Sequence, residues 1–359
     1  MKDFDEYIKQ GEPLKKEKGY AWQTAIGLQA VDELKTSDYL IQTARKHIEG
    51  DISIEEAKEL INSYYQSKAA RTDIEDRTEE ADKVSTRIAE ILSEKTFSFS
   101  PVEYISIHRR LFEGIYQFAG RIRDYNITKK EWVLKGETVF YASAGSIKET
   151  LDYDFGQEKD YNYKELNINE AIKHIANFIS GIWQIHAFGE GNTRTTAVFA
   201  IKYLRTFGFD ISNDAFADHS WYFRNALVRA NYNNLSKGIY ATTVFIEAFF
   251  RNLILSEHNE LKNRVMLVTE ANSGDTQSTK KPLESDSKCN YCTLNCTLEE
   301  TAVLKYLQEK PKATQKEIAA HIKKSERTVK TITVNLVAKG IIERKNGKRN
   351  GFWEIKKRN

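Results

Sequence analysis

The run HAFGEGNTR, from His186 to Arg194, places an imidazole, a carboxylate, two glycines, an asparagine and a guanidinium close together. Those residue types suit chemistry on a phosphate. A helix starting near Asn192–Thr193 presents unpaired N–H groups and the positive end of its dipole to the preceding loop. Gly189 and Gly191 let a ligand approach that backbone closely, so the loop is a ready anion site. Arg194, in the first turn, adds charge-assisted hydrogen bonds to phosphate oxygens. Glu190 is an odd neighbour for an anion unless a cation lies between them; Mg²⁺ held by one carboxylate and the substrate phosphates is the usual arrangement. His186 stands at the mouth of the loop, and an imidazole with an ordinary pKa of about 6.5 can take a proton from an attacking hydroxyl. Phe188 reads as an anchor buried beneath. A histidine at a helix end or a lone Gly-x-Gly turn is usually structural, so the weight rests on the combination.

These residues need two helices to hold them. Apolar spacing predicts one over Ile168–Ile185, ending at the histidine, and a second that continues through Arg194–Thr206 and closes at Gly208. Further helical periodicity covers Ala81–Leu92, Pro101–Ile115 and Ala241–Leu255, so 76–257 reads as one mostly helical domain. Within it, β-branched and aromatic residues on both sides of Lys135–Gly136 predict a β-hairpin over Tyr125–Tyr141. Ahead of it, 1–75 carries helical patterns at Ala25–Val31, Asp38–Ile48 and Ser53–Tyr65, the last opened by a Ser53/Glu56 capping box. Residues 258–297 are polar, and 270–288 have the composition of a linker. Finally, 298–358 reads as three helices followed by strand, turn and strand, the order of a winged helix-turn-helix, with Thr314/Glu317 and Ser325 as helix starts and Gly340 as a stop. The fold class is mainly α, with one hairpin in the body and a small winged-helix domain at the C-terminus.

Charge is divided unevenly. Leu298–Asn359 holds 16 Lys/Arg against 7 Asp/Glu, so a basic module follows a mildly acidic body. Its third helix, 326–339, offers Arg327, Lys330, Thr331 and Thr333 to a groove, Lys345, Lys348 and Arg349 lie on the wing, and Phe352 and Trp353 are expected to divide between the wing's core and its surface. That placement suits DNA phosphates, although winged helices also bind proteins. Cys289, Cys292 and Cys296 make an odd, clustered set, one short of the four ligands of structural zinc and a poor disulfide framework, which fits a reducing compartment. No apolar run reaches the roughly 20 residues of a membrane span, and no signal-peptide core follows the polar start, so a cytoplasmic location with no membrane partner is expected.

HAFGEGNTR resembles the Fic motif, His-x-Phe-x-Asp/Glu-Gly-Asn-Gly/Lys-Arg-x-x-Arg. The upstream SIHRRLFEGIYQFAGRIRDYNI also resembles the family's stretch ending in Ala-Gly-x-x-Arg, and the likeness covers about 90–210. The resemblance implies a Fic (Fido) helical bundle, with the hairpin as a flap over the target segment. It implies a protein adenylyltransferase that moves AMP, or less often another nucleotide monophosphate, from a nucleoside triphosphate to a Tyr, Ser or Thr hydroxyl of a protein, itself included. By position, His186 is then the general base and Glu190 holds Mg²⁺ or Mn²⁺ on the phosphates. Gly189, Gly191, Asn192 and Thr193 form the anion hole, Arg194 grips ATP or another nucleotide, and Trp132 and Val133 in the flap align the target backbone.

Two positions depart from the motif: Thr193 stands at its second glycine and Ala197 at its last arginine. That arginine orients the γ-phosphate in the family, so UTP, GTP or a diphospho-substrate competes with ATP. The family also has an inhibitory helix, Ser/Thr-x-x-x-Glu-Gly/Asn, whose glutamate pairs with the same arginine. In AIGLQAVDELKTS, Asp32 takes the glutamate's place and Leu28 that of the Ser/Thr. With Ala197 opposite, both partners of the inhibitory contact are expected to be lost. The alternative to an enzyme is a DNA- or protein-binding regulator whose Fic domain senses nucleotide and barely turns over. Oligomeric state is left open.

Overall fold

In a computed structural model of the chain, the described residues are 3–9, 12–67, 73–209, 211, 215–269, 296–346 and 351–356. The chain is mainly α, as its periodicity predicts. The N-terminal part consists of α1 (Asp5–Lys9), α2 (Pro13–Gly27), α3 (Asp38–Glu49) and α4 (Ile54–Gln66). The body contains α5 (Asp73–Ser93), α6 (Pro101–Phe112), α7 (Ile147–Asp160), α8 (Ile168–Ile185), α9 (Asn192–Thr206), α10 (Ala215–Ala230) and α11 (Val244–Leu255). The C-terminal part has α12 (Leu298–Glu309), α13 (Gln315–Ile322), α14 (Glu326–Ala338), β1 (Ile342–Lys345) and β2 (Phe352–Ile355). α7 and α10 are not among the helices that periodicity singled out.

α8 and α9 form the hairpin that carries the loop. α8 starts in a capping box, where the Asn167 side chain accepts from the Glu170 amide and the Glu170 carboxylate accepts from the Asn167 amide. Its apolar face, including Ile172, Ile175, Ile179, Ile182 and Trp183, is fully buried, and it stops where His186 turns left-handed, at φ 51°. α9 is buried through most of its length and packs on α5, α6 and α8. Tyr104 on α6 bonds Thr196 at 2.9 Å. Lys202 reaches the carbonyls of Ile91 and Glu94, at 3.1 and 2.6 Å, at the end of α5. Burial lowers that lysine to a pKa of about 8.

The N-terminal helices are bound into this body. α2 lies along α5 and against α10. At its end, a side chain on Gly27 would run into the backbone of Ala217, and the Ser220 hydroxyl donates to the Gly27 carbonyl at 2.7 Å. A 3-10 turn, Leu28–Asp32, follows directly. Asp82 on α5 accepts from the Ser37 amide at 2.9 Å and from the Tyr65 hydroxyl at 2.6 Å, so α3 and α4 are fastened to α5.

Three expectations change. The Tyr125–Tyr141 segment forms no strands. The turn does fall at Lys135–Gly136, both left-handed, and Glu131 and Glu137 share one backbone bond of 2.9 Å. The pairing goes no further, because Trp132–Leu134 coils into a 3-10 turn that buries Val133 and Leu134 on the body. Residues 258–269, expected to belong to a linker, are also packed: Met266 is buried and the Val268 amide donates to the Val133 carbonyl at 3.0 Å. Thr333 points into the core of the winged-helix part and not into a groove. The 270–288 stretch, Cys289, Cys292, Lys348 and Arg349 lie outside the described residues, and Cys296 is buried beside α12.

The C-terminal part closes as a winged helix-turn-helix. Thr297, Thr314 and Ser325 cap its three helices. β1 and β2 pair antiparallel from Ile342↔Ile355 to Lys345↔Phe352. Arg327, Lys330 and Thr331 on α14 are exposed, while Lys345 is engaged by Glu343 at 3.0 Å. The module abuts the body where Ile322 of α13 lies against Gly208 at the end of α9.

Gly27 therefore sets how closely α2 meets α10. Gly27→Val should destabilise the chain by about 1–3 kcal/mol, the usual cost of overpacking, and lower its Tm. An unchanged Tm would show that the two backbones do not meet there.

Candidate active site

The loop between α8 and α9 is braced from inside. Asn192 folds back across it: its Oδ1 accepts from the Phe188 amide at 3.0 Å and its Nδ2 donates to the Phe188 carbonyl at 2.7 Å. Gly191 has φ 77°, and any side chain there would strike the Phe112 ring; only glycine takes that left-handed position cheaply. Gly189 lies against the Tyr125 hydroxyl and the Phe118 ring. Thr193, where the motif has glycine or lysine, is buried and accepts from the Trp183 indole at 3.0 Å. Repetitive helical bonding begins with the Thr195 amide donating to the Gly191 carbonyl at 3.0 Å, so the amides of Asn192, Thr193 and Arg194 precede the ladder.

Two residues outside the loop fix its shape. His108 on α6 receives the Gly120 amide on Nδ1 at 2.9 Å and donates from Nε2 to the Glu190 carbonyl at 3.0 Å. Its ring stacks on Phe188 with centroids 3.7 Å apart, and burial lowers its pKa to about 4, which keeps it neutral. Arg123 donates to the carbonyls of His186 at 2.7 Å, Tyr125 at 2.6 Å and Ala142 at 2.5 Å. It ties the histidine to the Tyr125–Tyr141 segment. His108 and Arg123 both lie in the Ser106–Ile127 stretch that resembles the family, where residue type and spacing alone mark neither for a role.

His186 is buried, and among the described residues no side chain hydrogen-bonds either ring nitrogen, its polar contact being the Trp183 backbone. Its centroid is 4.2 Å from that of Tyr141. Burial first, and then the charges of Lys129, Arg123 and Arg224, hold its pKa well below the ordinary imidazole value. It is therefore a neutral imidazole, the form a general base requires. Glu190 is half exposed, and its Oε2 meets Lys129 Nζ at 2.7 Å. Among the described residues no three metal-ligating side chains converge. A lone accessible carboxylate in an anion-binding loop fits a cation shared with substrate phosphates, not a cage made by protein alone.

Arg194 is placed differently from expectation. Its side chain is only 1% exposed. Nε lies 2.7 Å from the Asp32 carboxylate, a charge contact more than a directed hydrogen bond. Nη2 donates to Glu80 at 2.6 Å and to the Tyr116 hydroxyl at 3.2 Å, and Nη1 to Gln29 at 3.1 Å. The guanidinium also lies over the Phe112 ring, 4.8 Å from its centroid. Burial opposes its charge, but Asp32, Tyr116 and Glu80 outweigh it and hold the pKa above the ordinary arginine value. Asp32 was expected to have lost its partner, since Ala197 stands where the motif has its last arginine, and Ala197 is indeed a buried core residue. It has a partner all the same, in the loop's remaining arginine one turn earlier.

A cleft of about 310 Å³ opens over these groups, lined by Asp32, Glu33, Arg77, Glu80, Tyr116, Glu190, Arg194, Trp221 and Arg224, with Val31 and Leu34. Four carboxylates outnumber three guanidiniums there. The buried Glu131, next to Trp132, faces Arg224 at 2.9 Å and accepts from the Tyr141 hydroxyl at 3.2 Å. Trp132 itself is 47% exposed, while Val133 is buried and its carbonyl is taken by Val268. Of the two flap residues expected to meet a target, only Trp132 is accessible.

Residues 98–204 match the model of the Fic/DOC family, and residues 300–343 match that of the winged helix-turn-helix DNA-binding type. The first match spans the loop, His108 and Arg123; the second spans α12–α14 and the start of β1. The burial of His186 can be checked directly. Its NMR titration should have a midpoint well below the ordinary value of about 6.5, and a midpoint at or above that value would contradict the enclosed, cation-flanked imidazole.

Proposed function

We propose that the Fic/DOC domain makes this chain a protein nucleotidyltransferase, held in a restrained state by its own N-terminal segment. The observation that carries the reading is the buried, neutral His186 at the start of the same loop that gives Glu190 and Arg194 to the cleft. In the reaction, a Tyr, Ser or Thr oxygen of a protein attacks the α-phosphorus of a nucleoside triphosphate. His186 takes the hydroxyl proton, the α–β anhydride bond breaks, and pyrophosphate leaves with that electron pair. The amides of Asn192, Thr193 and Arg194 face the charge that builds on the phosphate oxygens. Glu190 would hold Mg²⁺ or Mn²⁺, which supplies charge neutralisation on the phosphates when bound. Trp132 remains as the exposed contact for a target segment. ATP is one co-substrate among several, because Ala197 leaves no cation where the motif places its second arginine.

The restraint follows from Arg194. Its guanidinium is ion-paired with Asp32 and donates to Gln29, Glu80 and Tyr116, and Lys129 occupies Glu190. Nucleotide must displace the carboxylates from Arg194, and a cation must displace Lys129. The N-terminal segment therefore still acts as a brake, with Asp32 engaging the first motif arginine in place of the second.

Incubation with labelled ATP, GTP, UTP or CTP and Mg²⁺ or Mn²⁺ tests both parts. Wild type should label itself or a partner, His186→Ala should abolish the labelling, and Asp32→Asn should raise it roughly tenfold, the effect of about 1.4 kcal/mol. No His186-dependent label with any nucleotide, in either wild type or Asp32→Asn, would remove the enzyme reading. Label unchanged by Asp32→Asn would remove the brake. The C-terminal module is assigned to DNA through the exposed Arg327, Lys330 and Thr331. Its affinity for duplex DNA should fall steeply as salt rises, and no retardation of any duplex at low salt would overturn that assignment.

A further inference from the structure

The loop lacks a second phosphate-binding cation, and the cleft has a candidate for one on another helix. Ala197 is buried in the core, and the other cations of α9, Lys202 and Arg205, are held by carbonyls of Ile91, Glu94 and Leu92. α10 contributes Arg224 to the same cleft, alongside Glu190 and Arg194. Its charge is felt at His186, where it helps to depress the imidazole.

Three features make Arg224 more than a surface arginine. Its guanidinium lies 5.1 Å from the ring centroid of Trp221, which also lines the cleft; an aromatic face of this kind orients the planar fork and limits its rotamers. Its partner among the described residues is the single buried carboxylate Glu131, at 2.9 Å. One carboxylate cannot use all five donors of a guanidinium, and the side chain keeps 17% of its surface exposed. Arg194, by contrast, is ion-paired with two carboxylates and donates also to an amide and a phenol. Arg77 also lines the cleft, but it is exposed and donates to the Asp32 backbone carbonyl at 2.8 Å, so it closes the N-terminal turn. α10 is itself held in place by the Gly27 contact and by packing of Phe216 and Phe223 on Phe249.

We infer that Arg224 binds the β- or γ-phosphate of the nucleotide and replaces the missing motif arginine from α10. The inference rests on the nucleotidyltransferase reading. It makes Arg224 a selectivity residue: it should distinguish nucleotides by phosphate number and contribute little to a monophosphate.

The test is calorimetric binding of ATP and AMP, each with Mg²⁺, to wild type, Arg224→Gln and Arg224→Lys, all in the full chain and repeated with Asp32→Asn to free Arg194. Removing Arg224 should cut the ATP-over-AMP preference about tenfold or more, leave AMP affinity within about twofold, and leave Tm close to wild type; a lost charge-assisted contact accounts for a change of that order. Arg224→Lys keeps the charge without the fork and should fall between the two. Glu131→Gln separates this from a purely structural role: if Arg224 only anchors the Trp132 segment, Glu131→Gln should reproduce Arg224→Gln, whereas a phosphate ligand freed of its carboxylate should keep or strengthen the ATP preference. An unchanged preference in Arg224→Gln, or equal loss of ATP and AMP, overturns the inference and leaves the nucleotidyltransferase reading intact. Absence of nucleotide binding in both wild type and Asp32→Asn overturns both.

Discussion

A charged guanidinium buried beneath a loop has to be compensated, and most of the body is arranged around that requirement. Arg194 sits in the first turn of α9 with almost no solvent contact. An unpaired charge in such a place costs several kcal/mol, so the chain supplies two carboxylates, an amide oxygen and a phenol from three separate segments. Asp32 and Gln29 come from the N-terminal turn, Glu80 from α5, and Tyr116 from the segment after α6. The N-terminal helices are thus joined to the loop by charge as well as by packing. The tight approach of Gly27 to Ala217 places the turn that carries Gln29 and Asp32 where it can reach the arginine.

The same compensation leaves the cleft in an internally paired state. Arg194 is paired with Asp32 and Glu80, Glu190 with Lys129, and Arg224 with Glu131. Each group that could meet a phosphate or a cation already has an opposite charge. Ligand binding is then an exchange of partners, and its net energy is small unless several exchanges occur together. A nucleotide with its metal offers that combination: anionic oxygens for the arginines and a cation for Glu190. His186 stands outside these ion pairs as a buried, neutral imidazole.

Much of the fold was legible because its signals are local. Ile168–Ile185 is bounded by a capping box at Asn167 and a left-handed histidine at its end, and the observed helix has those limits. Ser53/Glu56 and Thr314/Glu317 open helices where their spacing predicts. The order of helices and strands after Thr297 reads directly as a winged helix. The hairpin failed because alternation alone does not make strands: Val133 and Leu134 gain more by coiling onto the body than by pairing across the turn. The make-up of the loop was visible in the sequence, but what surrounds it was not. Gln29 and Glu80 lie 165 and 114 residues from Arg194, and no periodicity or spacing links positions so far apart. The same distance hid Arg224 and Glu131. It also explains why Asp32 looked orphaned: alignment to a motif pairs it with position 197, whereas the fold brings it to position 194.

The central claim is that Asp32 competes with nucleotide for Arg194. Its most direct test is the affinity of wild type and Asp32→Asn for a non-hydrolysable ATP analogue with Mg²⁺, measured without any target protein. The account predicts tighter binding by Asp32→Asn, by about tenfold for each 1.4 kcal/mol of restraint removed. Equal or weaker binding by Asp32→Asn would mean that the Asp32–Arg194 pair is structural only and that the N-terminal segment does not restrain the site.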